Sequence, residues 1–492
     1  MHMVERLVKI LMSKDNTFTK DAVRLTASKV IGNILTLVSA MLLARIRTLE
    51  ENGIYSALVL VINLASSIFM LGLPSSINYF LSRAESKNEK NEFLSLYYSF
   101  STILSLILGI ILVVLLPIWV KYFNNENLAL YWFFLMVFPW AKVIGASVEN
   151  VLIVLGESRT LVSYRVSNSV MLLFIIFIVW ITKASFSIYM ILYVVVEGGY
   201  AIAVYYLASK YTGALHISLN RQMIHKVLSF SIPLGLASIV GTLNIEIDKL
   251  MLGHLLSTEQ LAIYTNASKE LPIAIVATSL TAVLMPQMVR LFSQHKNLEA
   301  INIWRDVTTI SFAIIAFFAF GMATFSKEAM TILYSEKYAS GGMVFSVYSL
   351  GLLLRCTYFG MALNSKGKTK LILYCAIGTL VINSILNILL YMLIGVVGPA
   401  IATVCSQVIM NFVQLLLTAK ELDVPFRLVF PWKKAGVIIC INVLFALPFM
   451  LIHSCLFPGE WQAVILAAIW GGVYFGLLIK PGRNMWLRLR QT

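Results

Sequence analysis

The chain has 492 residues, 59% of them hydrophobic and only 12% charged, with a mean hydropathy of +0.85. A soluble fold of this size needs more polar surface than that, so composition excludes a large water-soluble domain and points to a polytopic membrane protein. The net charge of +15 does not mark a nucleic-acid binder, because most Lys and Arg sit in alternate short loops, the pattern that orients membrane helices.

In chain order, residues 1–22 come first. Val4, Leu7, Val8, Leu11 and Met12 fall on one helical face with Lys and Arg between them. This predicts an interfacial helix on the cytoplasmic surface, a disordered tail being the alternative. A helix needs ~20 apolar residues to cross the hydrocarbon. Fourteen runs qualify, at 23–44, 54–80, 93–120, 128–155, 161–181, 185–209, 227–253, 261–289, 306–326, 341–363, 371–394, 397–419, 435–455 and 461–479. With the N-terminus inside, 28 of the 38 Lys and Arg lie in loops on its side, six on the other side and four within spans. This bias predicts cytoplasmic termini and an even helix count.

The fold expected is therefore all-α, with about 14 transmembrane helices. An internal echo organises them. Glu50–Tyr55, between helices 1 and 2, matches Glu259–Tyr264, between helices 7 and 8, at an offset of 209 residues. Six helices separate the copies, so they point the same way, which is a parallel repeat. The predicted organisation is an N-lobe at 23–209 (helices 1–6), a basic cytoplasmic linker at 210–226, a C-lobe at 227–419 (helices 7–12), and two accessory helices with a basic tail at 420–492.

Charges at membrane depth cost about 2.5–3.5 kcal/mol each on insertion scales, so they usually face a bundle interior or a wet cavity. The stretch Ile239–Pro272 carries Glu246, Asp248, Lys249, Lys269 and Glu270. Asn244 and Asp248 share a helical face, and Glu246 and Lys249 are spaced to pair. These residues either line a cavity between the lobes or tie helix 7 to helix 8. Lys142 and Glu149 in helix 4, Glu197 in helix 6 and Arg355 in helix 10 are further cavity candidates. Arg24 and Lys29, at the start of helix 1, read either as contacts for an incoming anionic headgroup or as interface anchors. Asn383, Asn387, Gln407, Asn411 and Gln414 make polar stripes of the kind that glue helices together.

Other signals exclude chemistry. The five cysteines lie in apolar runs without a CxxC pair, and the six histidines show no metal-ligand spacing. Gly367-Lys368-Thr369 is no phosphate-binding loop, because the earlier glycine that motif requires is Ala362. The outer loops are short, unlike those expected of a glycan polymerase or ligase. No metal, no cofactor and no enzymatic activity is expected.

Leu43-Ala44-Arg45, Glu50–Tyr55, Gly72-Leu73-Pro74, Asp248–Gly253, Ala262-Ile263-Tyr264 and Gly367-Lys368-Thr369, in that order and topology, resemble the polysaccharide-unit flippases of the multidrug/oligosaccharidyl-lipid/polysaccharide exporter superfamily. The resemblance covers most of helices 1–12. It implies two lobes around a cavity that carry polyprenyl-diphosphate-linked oligosaccharide from the cytoplasmic to the outer leaflet of a bacterial inner membrane, for O-antigen, capsule or exopolysaccharide synthesis. Arg24, Lys29, Lys142, Lys249, Lys269 and Arg355 are then the candidate substrate-binding cations. Glu149, Glu197, Glu246, Asp248 and Glu270 are the candidate cavity carboxylates, able to take a proton or sodium ion. Expected partners are membrane lipids and polysaccharide polymerase and chain-length proteins. Within the spans four cations meet five acids, which keeps a cation-coupled multidrug exporter of the same fold as the alternative.

Overall fold

A computed structural model describes residues 16–269, 271–455, 462 and 465–473. The described elements are helices and turns, without strands among them. In order they are α1 (Asn16–Ile46), α2 (Leu49–Phe69), α3 (Leu73–Phe80), α4 (Lys87–Val114), α5 (Leu116–Tyr122), α6 (Trp132–Gly145), α7 (Val148–Val154), α8 (Ser158–Ile181), α9 (Phe186–Thr212), α10 (Arg221–Leu255) and α11 (Thr258–Ala267). They continue with α12 (Ile275–Ser293), α13 (Asn297–Thr324), α14 (Ser326–Leu333), α15 (Gly342–Gly351), α16 (Met361–Ser365), α17 (Thr369–Ile394), α18 (Val397–Leu422), α19 (Phe426–Val429) and α20 (Trp432–Cys455).

Eleven helical segments among the described residues are long and apolar enough to cross a membrane, and α11 with α12 add a twelfth if read as one span bent by 46°. The protein is a multi-pass, all-helical membrane protein. The predicted run 341–363 is broken into α15, a 3-10 turn at Leu352–Arg355 and α16, with Gly351 and Gly360 flanking the break. Of the run 461–479, residues 462 and 465–473 are described and helical, and the predicted interfacial helix at the N-terminus falls mostly outside the described residues. The boundary near 394–397 is a true turn: Gly395 has φ +69°, a left-handed conformation that glycine adopts without a steric cost.

The chain divides into two compact units, one spanning Asp21–Asn266 and the other built on the residues from Ala267 onward. Helices α10 and α11 belong to the first. Its core is aromatic, with Tyr97, Tyr98, Phe123 and Phe134 fully buried. The second unit buries Trp304 and Phe345 and contains the antiparallel hairpin α17–α18.

The internal echo has a physical meaning. Thr48 Oγ1 accepts from the Glu51 amide at 3.1 Å, and Glu51 Oε2 accepts from the Thr48 amide at 3.0 Å, a reciprocal capping box that starts α2. Exactly the same offset of 209 places Ser257 and Gln260 at the start of α11, where Ser257 Oγ accepts from the Gln260 amide at 3.4 Å.

 The repeat is thus a repeated helix start. The two starts also touch: a Cβ on Gly53 would lie 2.0 Å from the Thr258 carbonyl oxygen, so any larger residue would force α2 and α11 apart.

The segment after α9 is extended and strapped to α4. Asn91 Nδ2 donates to the carbonyls of Gly213 (2.7 Å) and Ala214 (3.1 Å), while Ser95 Oγ accepts from the His216 amide (3.2 Å) and Ser99 Oγ from the Ser218 amide (3.1 Å). Four residues of helix rise ~6 Å and two residues of extended chain ~6.6 Å, so the two repeats stay in step.

Candidate functional site: a polar node on α2, α6 and α10

Three helices of the first unit carry the node. Its position on α2 follows from the capping box, which fixes where that helix begins, and from Gly53, which lets α11 approach. Lys142 sits in the last turn of α6, where the helix dipole favours a cation. Glu246 and Lys249 are three residues apart on α10, on one face, with the acid N-terminal to the base.

The side chains form a chain of contacts. Lys142 Nζ donates to Asn63 Oδ1. Asn63 Nδ2 donates to Glu246 Oε1 at 3.1 Å. Glu246 Oε2 accepts from Lys249 Nζ at 2.8 Å, the pairing expected from the spacing. Lys249 Nζ also donates to the Ile245 carbonyl at 3.2 Å. The amide orientation is dictated by charge: its oxygen faces an ammonium and its NH2 a carboxylate. All four side chains are half-buried. Asp248 is 1% exposed and turns the other way, accepting from Tyr264 OH at 2.8 Å and from the Lys249 amide at 2.8 Å. The Tyr264 bond ties α10 to α11.

C-terminal to Lys249 along α10, a second set of contacts holds the same helix. Tyr122 OH donates to the Leu250 carbonyl at 2.8 Å, and the Tyr122 ring stacks on His254 with centroids 4.9 Å apart. Asn125 Nδ2 donates to Thr258 Oγ1 at 2.9 Å, and Asn127 Nδ2 to Glu50 Oε1 at 2.8 Å. One loop therefore grips both copies of the repeated helix start.

The remaining predicted residues lie elsewhere. Glu149 pairs with Arg165 Nη2 at 2.9 Å, and Arg165 Nη1 donates to Ser28 Oγ at 3.1 Å, joining α7, α8 and α1. Glu197 on α9 accepts from Asn168 Nδ2 at 3.2 Å. Arg24 and Lys29 are exposed on α1. Lys269 and Arg355 belong to the second unit; Lys269 is half-buried with its Nζ 6.0 Å from the centre of the Tyr334 ring, and Arg355 is exposed. Glu270 lies outside the described residues.

Sequence reasoning missed two members. Asn63 is a lone amide in the apolar stretch Ala57–Ala65, and an isolated polar residue at membrane depth was the available signal. Arg165, the partner of Glu149, lies inside α8 near its start, where the sequence reads as a basic loop flanking an apolar run.

The model of the family described as polysaccharide biosynthesis protein matches residues 18–292, more than half of the chain. The capsular polysaccharide biosynthesis protein CapF of Staphylococcus aureus is 25% identical over 207 residues, covering 41% of this chain and 52% of that protein. The probable low-salt glycan biosynthesis flippase Agl15 of Haloferax volcanii is 21% identical over 248 residues, covering 49% and 50%. The chain spans about half the length of these curated relatives. Among solved structures, the lipid II flippase MurJ in an inward closed conformation superposes with a TM-score of 0.71 at 16% identity, covering 92% of this chain and 99% of that one. An inward-facing multidrug resistance MATE family transporter of the MOP superfamily gives 0.63 at 14% identity, covering 80% and 94%. The fold is therefore the one these transporters share, and the resemblance seen in the sequence is borne out. The chain belongs to the polysaccharide biosynthesis protein family.

Proposed function

We propose that the protein is a flippase that moves polyprenyl-diphosphate-linked oligosaccharide units from the cytoplasmic to the outer leaflet, supplying O-antigen, capsule or exopolysaccharide synthesis. The observation that carries this reading is the meeting of Lys142 and Lys249 at one node inside the spans, shared through Asn63 and Glu246. A sugar diphosphate cannot enter hydrocarbon with its charge uncompensated. Half-buried ammonium groups replace its lost hydration while the prenyl chain stays in lipid. Arg24 and Lys29 meet the headgroup on its way in, and Lys269 and Arg355 are further candidate cations for it. The carboxylates Glu149, Glu197, Glu246, Asp248 and Glu270 balance these cations and offer proton or sodium sites.

In this reading the repeat-related lobes 23–209 and 227–419 rock about the node, with both termini on the cytoplasmic face of a bacterial inner membrane. An interior-negative potential favours outward movement of an anion by ~2.3 kcal/mol per charge per 100 mV, so transport needs little further driving force. The protein transports its substrate without altering it. Its relatives, a capsular polysaccharide biosynthesis protein and a probable glycan biosynthesis flippase, support the substrate class.

The test is reconstitution of the purified protein into liposomes carrying a fluorescent lipid-linked oligosaccharide, scored by quencher access to the outer leaflet. Movement faster than in protein-free liposomes is expected, and equal rates would refute the reading. Glu246 and Asp248 favour a second reading, export of a cationic drug. In a drug-sensitive host the flippase reading predicts no gain of resistance.

A further inference from the structure

We propose that Asn63 is a positioning residue in a substrate-opened latch. The chain Lys142–Asn63–Glu246–Lys249 holds α10 to α2 and α6, and an anionic diphosphate headgroup opens it by taking both ammonium groups. This inference rests on the substrate class proposed above.

The chemistry of the amide is the first support. Asn63 accepts from a cation on α6 and donates to an anion on α10. A carboxamide does both at once; a carboxylate would repel Glu246, and an apolar side chain would do neither. The arrangement of charge is the second. Glu246 is the carboxylate that hydrogen-bonds within the chain of contacts, while Asp248, its neighbour on α10, keeps its charge beside Lys249 and accepts from the Tyr264 hydroxyl and the Lys249 amide. Glu246 touches Lys249 directly but reaches Lys142 only through Asn63, whereas a diphosphate offers several anionic oxygens and can engage both ammonium groups at once. Access is the third. Lys142, Asn63, Glu246 and Lys249 keep part of their surface exposed, 13% for the Glu246 and Lys249 side chains, whereas Asp248 is sealed at 1%.

The consequence is competitive. If latch and headgroup share the same lysines, closing the one excludes the other, and each weakens the other by the same factor. Weakening the latch must therefore tighten headgroup binding. A residue that only supports the fold would do the reverse.

The experiment uses the full chain in lipid nanodiscs, farnesyl diphosphate as the probe, and spin labels on α2 and α10 to report their separation. Glu246→Gln keeps the shape of the side chain but removes its charge. It is expected to tighten farnesyl diphosphate binding on the order of tenfold, in keeping with the size of typical couplings. Without ligand it is expected to shift the label distances toward those of the ligand-bound wild type. Asn63→Leu is expected to act in the same direction, and Lys142→Gln to weaken binding. Unchanged or weaker binding by both Glu246→Gln and Asn63→Leu, with unchanged distances, overturns the latch. If the wild type binds no farnesyl diphosphate but Glu246→Gln still separates the labels, the latch stands and the diphosphate reading falls. If the labels do not move either, both fall. Should one variant not fold, the other carries the same readouts.

Discussion

Two groups of buried polar side chains show opposite solutions to the same problem. On α2, α6 and α10 of the first unit, Lys142, Asn63, Glu246 and Lys249 satisfy one another while each keeps part of its surface exposed. In the α17–α18 hairpin of the second unit, Asn383 and Asn387 are each 1% exposed. Asn383 Oδ1 accepts from Thr403 Oγ1 at 3.5 Å, and neither side-chain atom of Asn387 has a hydrogen-bond partner among the described residues. An unmet buried polar group costs ~1–3 kcal/mol, whereas a charged network that loses one partner costs ~3–5 kcal/mol. The hairpin should therefore tolerate apolar replacement, and the node should not.

The largest effect is expected from Lys249→Ala. It strips Glu246 of its charged partner, and surface glycan should fall at least tenfold while the protein remains in the membrane fraction. Wild-type glycan in that variant would remove Lys249 from the transport path. Next, Gly53→Val should drive α2 away from α11, because its Cβ meets the Thr258 carbonyl at 2.0 Å. A clear drop in melting temperature in detergent is expected, and an unchanged melt would mean that the two helix starts part without cost.

The matched pair Asn63→Leu and Asn387→Leu sharpens the contrast directly. The first should lower the melting temperature, and the second should leave it unchanged or raise it. A reversed order would mean that the hairpin amide holds a partner that the node does not need. The smallest effects belong to the caps. Thr48→Ala and Ser257→Ala should each cost ~1 kcal/mol, read as small and similar shifts in thermal unfolding. Thr48 should lose more, since its box is reciprocal and bonded at 3.1 Å against 3.4 Å for Ser257.

Much of this was legible in the residues. Long apolar runs define spans because no other structure satisfies every backbone group within lipid, and the Glu246/Lys249 spacing defines a helical pair because an α-helix returns to one face every three to four residues. The echo at 209 residues was visible as letters, but its physical content, a pair of capped helix starts, needed the hydrogen bonds of Thr48 and Ser257. The broken run 341–363 was not legible, because hydropathy does not register where glycines interrupt a helix.

What the sequence determined by itself is the solvent: a chain this apolar must lie in a membrane as helices, since lipid offers no hydrogen bonds to an open backbone. What only the tertiary structure decided is which charges share a partner. Asn63 and Glu246 are 183 residues apart and meet on different helices, while Asp248, two residues from Glu246, faces away toward Tyr264. Periodicity fixes the face of a helix, but the neighbour across that face is chosen by packing between segments distant in the chain.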